Sequence, residues 1–188
     1  MNWTRYVAEL GGCLNALEVS DRLGAALAHE EAFARLSGCT QKARLAGATV
    51  FFVGNGASAS IASHMAADMN KNGQVRTEVF TDLALITAVA NDIGFDQVYA
   101  EPLRRKMNQV DVLLAISSSG NSQNILNAVA TARELGGFVI TLSAMRPDNA
   151  LRASGDLNLY VPAATYGLAE SAHATLLHHW IDRVVAAQ

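Results

Sequence analysis

Val110-Asp111-Val112-Leu113-Leu114-Ala115-Ile116-Ser117-Ser118-Ser119-Gly120-Asn121-Ser122 runs from an apolar segment into a hydroxyl-rich loop, and a helical pattern of Ile125, Leu126, Ala128, Val129 and Ala132 follows directly. A near-continuous apolar run of this length predicts a strand buried on both faces. Such a strand, ending in serines and opening a helix, is suited to hold an anion. The hydroxyls donate hydrogen bonds, Gly120 lets backbone N–H groups turn inward, and the helix N-terminus adds partial positive charge. The loop contains no lysine, which argues for a small phosphate monoester over a nucleotide.

Working outward, short apolar strands are predicted over 49–53, 76–80, 111–116, 138–142 and 157–161. Helices are predicted over 57–69, 83–90, 97–106, from the serine loop to 135, and over 168–187. Strands alternating with helices indicate an α/β protein with a parallel sheet covered on both faces. Ligands on such sheets sit at the carboxyl ends of the strands. Gly54-Asn55-Gly56-Ala57-Ser58 repeats the strand–turn–helix logic of the serine loop, so both loops should face one pocket. Alone, the first loop is better read as a tight strand-to-helix connection.

Residues 1–48 read as wholly helical. Val7, Leu10, Leu14 and Leu17 form a 3-4-3 seam for a partner helix. Ser20-Asp21 is expected to cap a second helix carrying Leu23, Leu27, Phe33 and Leu36, with Gly38 and Gly47 as breakers. This gives one domain over 1–188, with 1–48 as a helical oligomerisation segment and 49–188 as a phosphosugar-binding core.

The composition narrows the function. The chain has 188 residues, enough for a core without metal or disulfide staples. It is 51% hydrophobic and only 16% charged, so subunit contacts are a natural outlet for apolar surface. A net charge of −3 and the lack of a Lys/Arg cluster argue against nucleic acid. Arg5 and Glu9 interrupt the start, and no apolar run approaches the roughly 20 residues of a membrane span. Cys13 and Cys39 have no CxxC partner and read as reduced thiols of a cytoplasmic protein. GNGAS lacks the GxGxxG spacing and no acidic ribose partner follows it, so no nucleotide cofactor is expected.

Several polar residues could carry chemistry. His64 and Asp68 lie four apart on one helix face, as a metal pair, a proton-handling pair or an ordinary surface pair. Glu170 and His178 lie about 12 Å apart along the last helix and some 80° apart around it. They reach one point only by leaning together, a strain that a site shared between subunits would relax. His173 and His179 point elsewhere and read as packing or surface residues; His29 reads as structural.

Taken together, GNGAS, His64-xxx-Asp68, Asn91-Asp92-Ile93-Gly94-Phe95, the serine loop and Glu170-x7-His178 resemble the sugar-isomerase (SIS) domain. Within it they are most similar to the phosphoheptose isomerases, which interconvert sedoheptulose 7-phosphate and D-glycero-D-manno-heptose 7-phosphate. The resemblance implies a three-layer, flavodoxin-like sheet and a homotetramer with active sites at subunit contacts. It implies that Ser117, Ser118, Ser119 and Ser122 hold phosphate, while Asn55, Gly56, Ala57 and Ser58, with Asn91 and Asp92, line the sugar. It also implies Zn²⁺ held by His64, Asp68, Glu170 and His178. Three departures stand out. Asp68 replaces the family's glutamate base, Glu170 replaces a glutamine, and Gly167-Leu168 replaces an Asp-Arg pair. The shorter Asp68 carboxylate is retracted by roughly 1.3 Å, and a misplacement of about 1 Å can cost about 100-fold in rate. Glu170 restores a carboxylate to the site.

The expected reaction is aldose–ketose isomerisation. The serine loop anchors phosphate, and Asp68 or Glu170 removes the proton beside the carbonyl. His178 relays a proton between the oxygens. Two alternatives stay open at this point: a non-catalytic tetrameric binding protein of the replication-initiator-associating type, and an isomerase for another sugar phosphate.

Overall fold

The structure, a computed structural model, describes residues 2–187. It begins with α1 (Trp3–Asn15), β1 (Glu18–Asp21), α2 (His29–Ala46), β2 (Thr49–Gly54) and α3 (Ala57–Lys71). Next come β3 (Arg76–Val79), α4 (Leu83–Asp92), a 3-10 turn at Phe95–Gln97 and α5 (Ala100–Lys106). The chain finishes with β4 (Val112–Ser117), α6 (Gln123–Glu134), β5 (Phe138–Ala144), a 3-10 turn at Ala150–Ala153, β6 (Leu157–Val161) and α7 (Tyr166–Ala186). One sheet takes the order β1-β6-β5-β4-β2-β3. Every pairing is parallel except that of β1 with β6.

The apolar run that opened the sequence reading is β4, buried along its whole length. Its side chains alternate between layers, as the period of two demands. Val112, Leu114 and Ile116 join a core with Phe33, Met65, Met69 and Trp180 from α2, α3 and α7. Leu113 and Ala115 join the opposite core with Leu103, Ile125 and Val129 from α5 and α6. The predicted three-layer α/β arrangement is what forms.

The N-terminal segment is not wholly helical. Glu18–Asp21 is a strand, in register Glu18 with Tyr160 and Asp21 with Leu157. Leu17 and Val19, two residues apart, are both buried, a strand period the helical reading of this stretch overlooked. Pairing here covers the edge of β6, which would otherwise present unpaired backbone groups. Ser20-Asp21 caps no helix. Instead Asp21 Oδ1 accepts from the N–H groups of Leu23 and Ala25, both at 2.9 Å, and closes a turn. The second helix starts eight residues later, at His29. Gly47 does end that helix in a left-handed conformation, whereas Gly38 lies inside it.

α7 is anchored by buried polar contacts. Trp180 Nε1 donates to Thr40 Oγ1 at 3.1 Å, tying α7 to α2. His173 is fully buried, with Nε2 3.3 Å from the Ser143 carbonyl and Nδ1 without a partner among the described residues. Burial pulls its pKa down from 6.5 to about 4, so the ring folds neutral. The unfolded chain takes up this proton below about pH 6.5, whereas the folded protein resists it until about pH 4. Stability is therefore full above pH 6.5 and declines as pH falls through that window, by about 3 kcal/mol in all. Urea unfolding at pH 7 and pH 4.5 should show His173→Leu losing less stability on acidification than the parent. An identical pH dependence in both would refute this origin.

Candidate active site

Gly54 pairs in register with Ile116, so the loops after β2 and β4 leave the sheet side by side. At Gly54 a Cβ would lie 2.6 Å from the carbonyl carbon and oxygen of Ser58. Only glycine lets the first turn of α3 sit so close to the strand end. Gly120, at φ +65°, turns the serine loop, and the space a Cβ would need is filled by the Asn149 side chain. Asn149 is itself fixed, its Nδ2 donating to the carbonyls of Ala144 and Arg146 and its Oδ1 accepting from Arg152 N–H.

Between the loops lies a cleft of about 300 Å³. The first loop contributes Asn55, Gly56, Ala57 and Ser58, and the second contributes Ser117, Ser118, Ser119 and Ser122. Tyr166 and Glu170, on the first turns of α7, form the remaining wall. Ser117 Oγ accepts from Gly120 N–H at 3.2 Å and donates to Ser122 Oγ at 3.4 Å. Ser118 Oγ is buried without a partner among the described residues, a cost normally met by a ligand or water. α3 and α6, like α2 and α5, have no side-chain cap. Their cap residues, Gly56 and Ser122, line the cleft. Orphan hydroxyl and uncapped helix ends together make an anion cradle. No lysine or arginine is among the lining residues, so neutral donors and helix dipoles carry the attraction. A larger cleft, of about 670 Å³, lies between β1 and the Pro147–Ala153 stretch and holds none of the expected site residues.

The two helices that wall the cleft also carry the second expected group. Atoms of His64, Asp68 and His178 all lie within 4.8 Å of one another, a set that could hold a metal ion. His64 Nε2 is 3.5 Å from Asp68 Oδ2, close to the roughly 3.3 Å between donors about 2.0 Å from a tetrahedral ion. Three protein ligands with a fourth position open is the pattern of catalytic zinc sites. The fourth expected ligand, Glu170, is not in this set; it stands half-buried at the serine cleft. Asn91 and Asp92 do not line the cleft either. They lie exposed at the end of α4, with Asn91 Nδ2 donating to Asp92 Oδ1 at 2.8 Å. His29 bonds the Leu17 carbonyl and His179 packs edge-on to Phe33, both structural roles.

Residues 18–144 match the SIS domain family. Among proteins of similar sequence, the phosphoheptose isomerase of Aromatoleum aromaticum is 37% identical over 70% of each chain. That of Helicobacter pylori is 33% identical over 71% of this chain and 72% of its own. The solved structure of phosphoheptose isomerase from Neisseria gonorrhoeae superposes with a TM-score of 0.82, 28% identity and 96% coverage of both chains. The corresponding protein of Francisella tularensis gives 0.81 and 27%, over 97% of this chain and 95% of that one. This chain is an SIS domain of the phosphoheptose isomerase family. The SIS match begins at Glu18, the first residue of β1, so the strand missed in the sequence reading is where the family likeness starts.

The sequence reading overlooked four residues of this SIS site. Tyr166 precedes the glycine-leucine departure and stands 57% exposed on the cleft wall. Asn149 carries no local pattern that marks it. Asn124 and Tyr99 are buried polar residues beside the loops. A buried asparagine in the first turn of an apolar helix was the one signal available. Among the described residues no helix is long and apolar enough to cross a membrane.

Proposed function

We infer that this chain isomerises sedoheptulose 7-phosphate to D-glycero-D-manno-heptose 7-phosphate. The observation that carries the reading is the pairing of a cation-free hydroxyl cradle with a His-Asp-His cluster on α3 and α7, two helices that wall the same cleft. The phosphate binds to Ser117, Ser118, Ser119 and Ser122 and to the ends of α3 and α6. Binding energy at this remote group fixes the reacting carbons. Asn55, Gly56, Ala57 and Ser58 border the sugar.

Glu170 is the carboxylate best placed to take the carbon-bound proton. It lines the cleft and has no hydrogen-bond or ion-pair partner among the described residues, whereas Asp68 is engaged with His64. When no metal occupies its ring nitrogen, His178 moves a proton between the two sugar oxygens, the role a histidine fills near neutral pH. His64, Asp68 and His178 would hold Zn²⁺, which supplies electrophilic stabilisation for the charge that builds on oxygen.

Exposed apolar surface supports a homotetramer with sites at subunit contacts. α4 buries Val89 alone, while Leu83, Ile93 and Phe95 stand 57–74% exposed on and after it. α1 buries no residue and exposes Trp3 and Val7. Such patches mark association surfaces. In that assembly Asn91 and Asp92, exposed at the end of α4, would border the cleft of a neighbouring copy. Cys13 and Cys39 are free thiols, in keeping with a cytoplasmic setting.

Incubation with sedoheptulose 7-phosphate in D₂O, followed by NMR, tests the reading. The expected result is an aldose heptose 7-phosphate with deuterium on C2, the former carbonyl carbon. Zinc analysis should give one ion per chain for the parent and a loss of at least about tenfold in affinity for His64→Ala. Absence of turnover would overturn the isomerase reading, and equal zinc content in parent and His64→Ala would overturn the ligand assignment.

A further inference from the structure

The two loops of the cleft are joined by side-chain bonds that the chemistry above does not use. Asn55 Nδ2 donates to Asn124 Oδ1 at 2.9 Å, and Asn124 Nδ2 donates back to Asn55 Oδ1 at 2.8 Å. The result is a closed ring of two amide bonds between the first loop and the first turn of α6. The Tyr99 hydroxyl adds a third tie, donating to the Gly54 carbonyl and lying 3.5 Å from Asn55 Oδ1. Asn124 is 3% exposed and Tyr99 7% exposed, so water competes little for these bonds.

The placement of this ring gives it a consequence for binding. Asn55 is the residue between Gly54, the last of β2, and Gly56, the cap of α3. Asn124 is the second residue of α6, two after its cap Ser122. Neither helix has a side-chain cap; α3 lines the cleft with Gly56, Ala57 and Ser58, and α6 with its cap Ser122. The ring therefore spans the two helix ends that would share one phosphate. It also commits one Nδ2–H and one lone pair of Asn55, leaving a single amide hydrogen for a ligand. An apolar residue at 124 would bury no polar side-chain atom. A buried amide that finds all its partners in the opposite loop instead fixes one arrangement of the two loops.

We propose that Asn124 and Tyr99 are positioning residues that set the spacing of the two phosphate-facing helix ends, acting through Asn55. The proposal rests on the phosphosugar reading of the cleft. It changes the expected role of Asn55, whose contribution to binding is made largely through the ring and only in part through its spare N–H.

A double-mutant cycle separates these roles, with inorganic phosphate and sedoheptulose 7-phosphate as probes, well below the melting midpoint of each protein. Asn124→Ala should weaken phosphate binding and raise KM by about tenfold, since displacement by a fraction of an ångström is costly in such sites, with kcat within about threefold. Adding Asn55→Ala to Asn124→Ala should cost no more than about a further threefold, because the second change removes a group already released. Tyr99→Phe, which removes one oxygen and disturbs packing least, should raise the phosphate dissociation constant about threefold. The idea is overturned if phosphate affinity is unchanged in Asn124→Ala and Tyr99→Phe, or if the two alanine effects multiply in the double variant. It is also overturned if the loss falls on kcat alone. The parent protein provides the separate arm: if it neither binds inorganic phosphate nor turns over the sugar, the phosphosugar reading fails, and the positioning role fails with it.

Discussion

Gly120→Ala is expected to raise KM for the phosphosugar by about 100-fold or more and to destabilise the fold by about 3 kcal/mol. Two independent effects converge at this position. The backbone sits at φ +65°, and a Cβ would fall on the Asn149 side chain. Asn149 cannot simply step aside. It is 5% exposed and holds the Ala144 and Arg146 carbonyls and the Arg152 N–H. The serine loop is further stitched to this region by Leu151 N–H donating to the Gly120 carbonyl and Ala144 N–H donating to the Ser118 carbonyl. Yielding at Gly120 therefore moves Ser118 and Ser119, the hydroxyls placed on the phosphate. Steady-state kinetics with a thermal melt check both effects. A variant with parental KM and melting midpoint would show that the loop is not held as described.

Glu170→Gln should lower kcat by about 10³, within the usual range for removal of a general base, with KM changed only a few-fold. Zinc content should stay at the parental level, because Glu170 is outside the His64–Asp68–His178 group. Asp68→Asn should behave differently, losing both metal and turnover. The comparison has particular force because the family resemblance implies glutamine at this position. Full activity in Glu170→Gln would transfer the base to Asp68 and leave Glu170 as a sugar-binding residue. Loss of zinc in Glu170→Gln would restore it to the ligand set.

Much of the fold was legible because periodicity reports burial directly. β4 alternates between two cores, and its residues 112–116 could only read as a strand covered on both faces. The serine loop declared itself through composition, four hydroxyls and a glycine between that strand and a helix. β1 was hidden because four residues hold only two turns of strand period, and Leu14 and Leu17 extend the preceding helical spacing into it. Its formation depends on β6, 142 residues away in the sequence by the Glu18 to Tyr160 pairing, and no local pattern encodes that partner. The site followed the same division. His64 and Asp68 are one helical turn apart and were visible, while His178 joins them only through the packing of α7 on α3. Asn149 and Tyr99 reach the loops from distant segments, so nothing near them in the sequence marked their role.

The most direct test compares kcat/KM for sedoheptulose 7-phosphate and for unphosphorylated sedoheptulose, in the parent protein and in Ser118→Ala/Ser119→Ala. A cradle of neutral donors that fixes the sugar through its ester predicts a preference for the phosphorylated ketose of about 10³ or more in the parent, falling at least about 30-fold in the double variant. Equal efficiency on both sugars, or a preference untouched by loss of the two hydroxyls, would contradict the account.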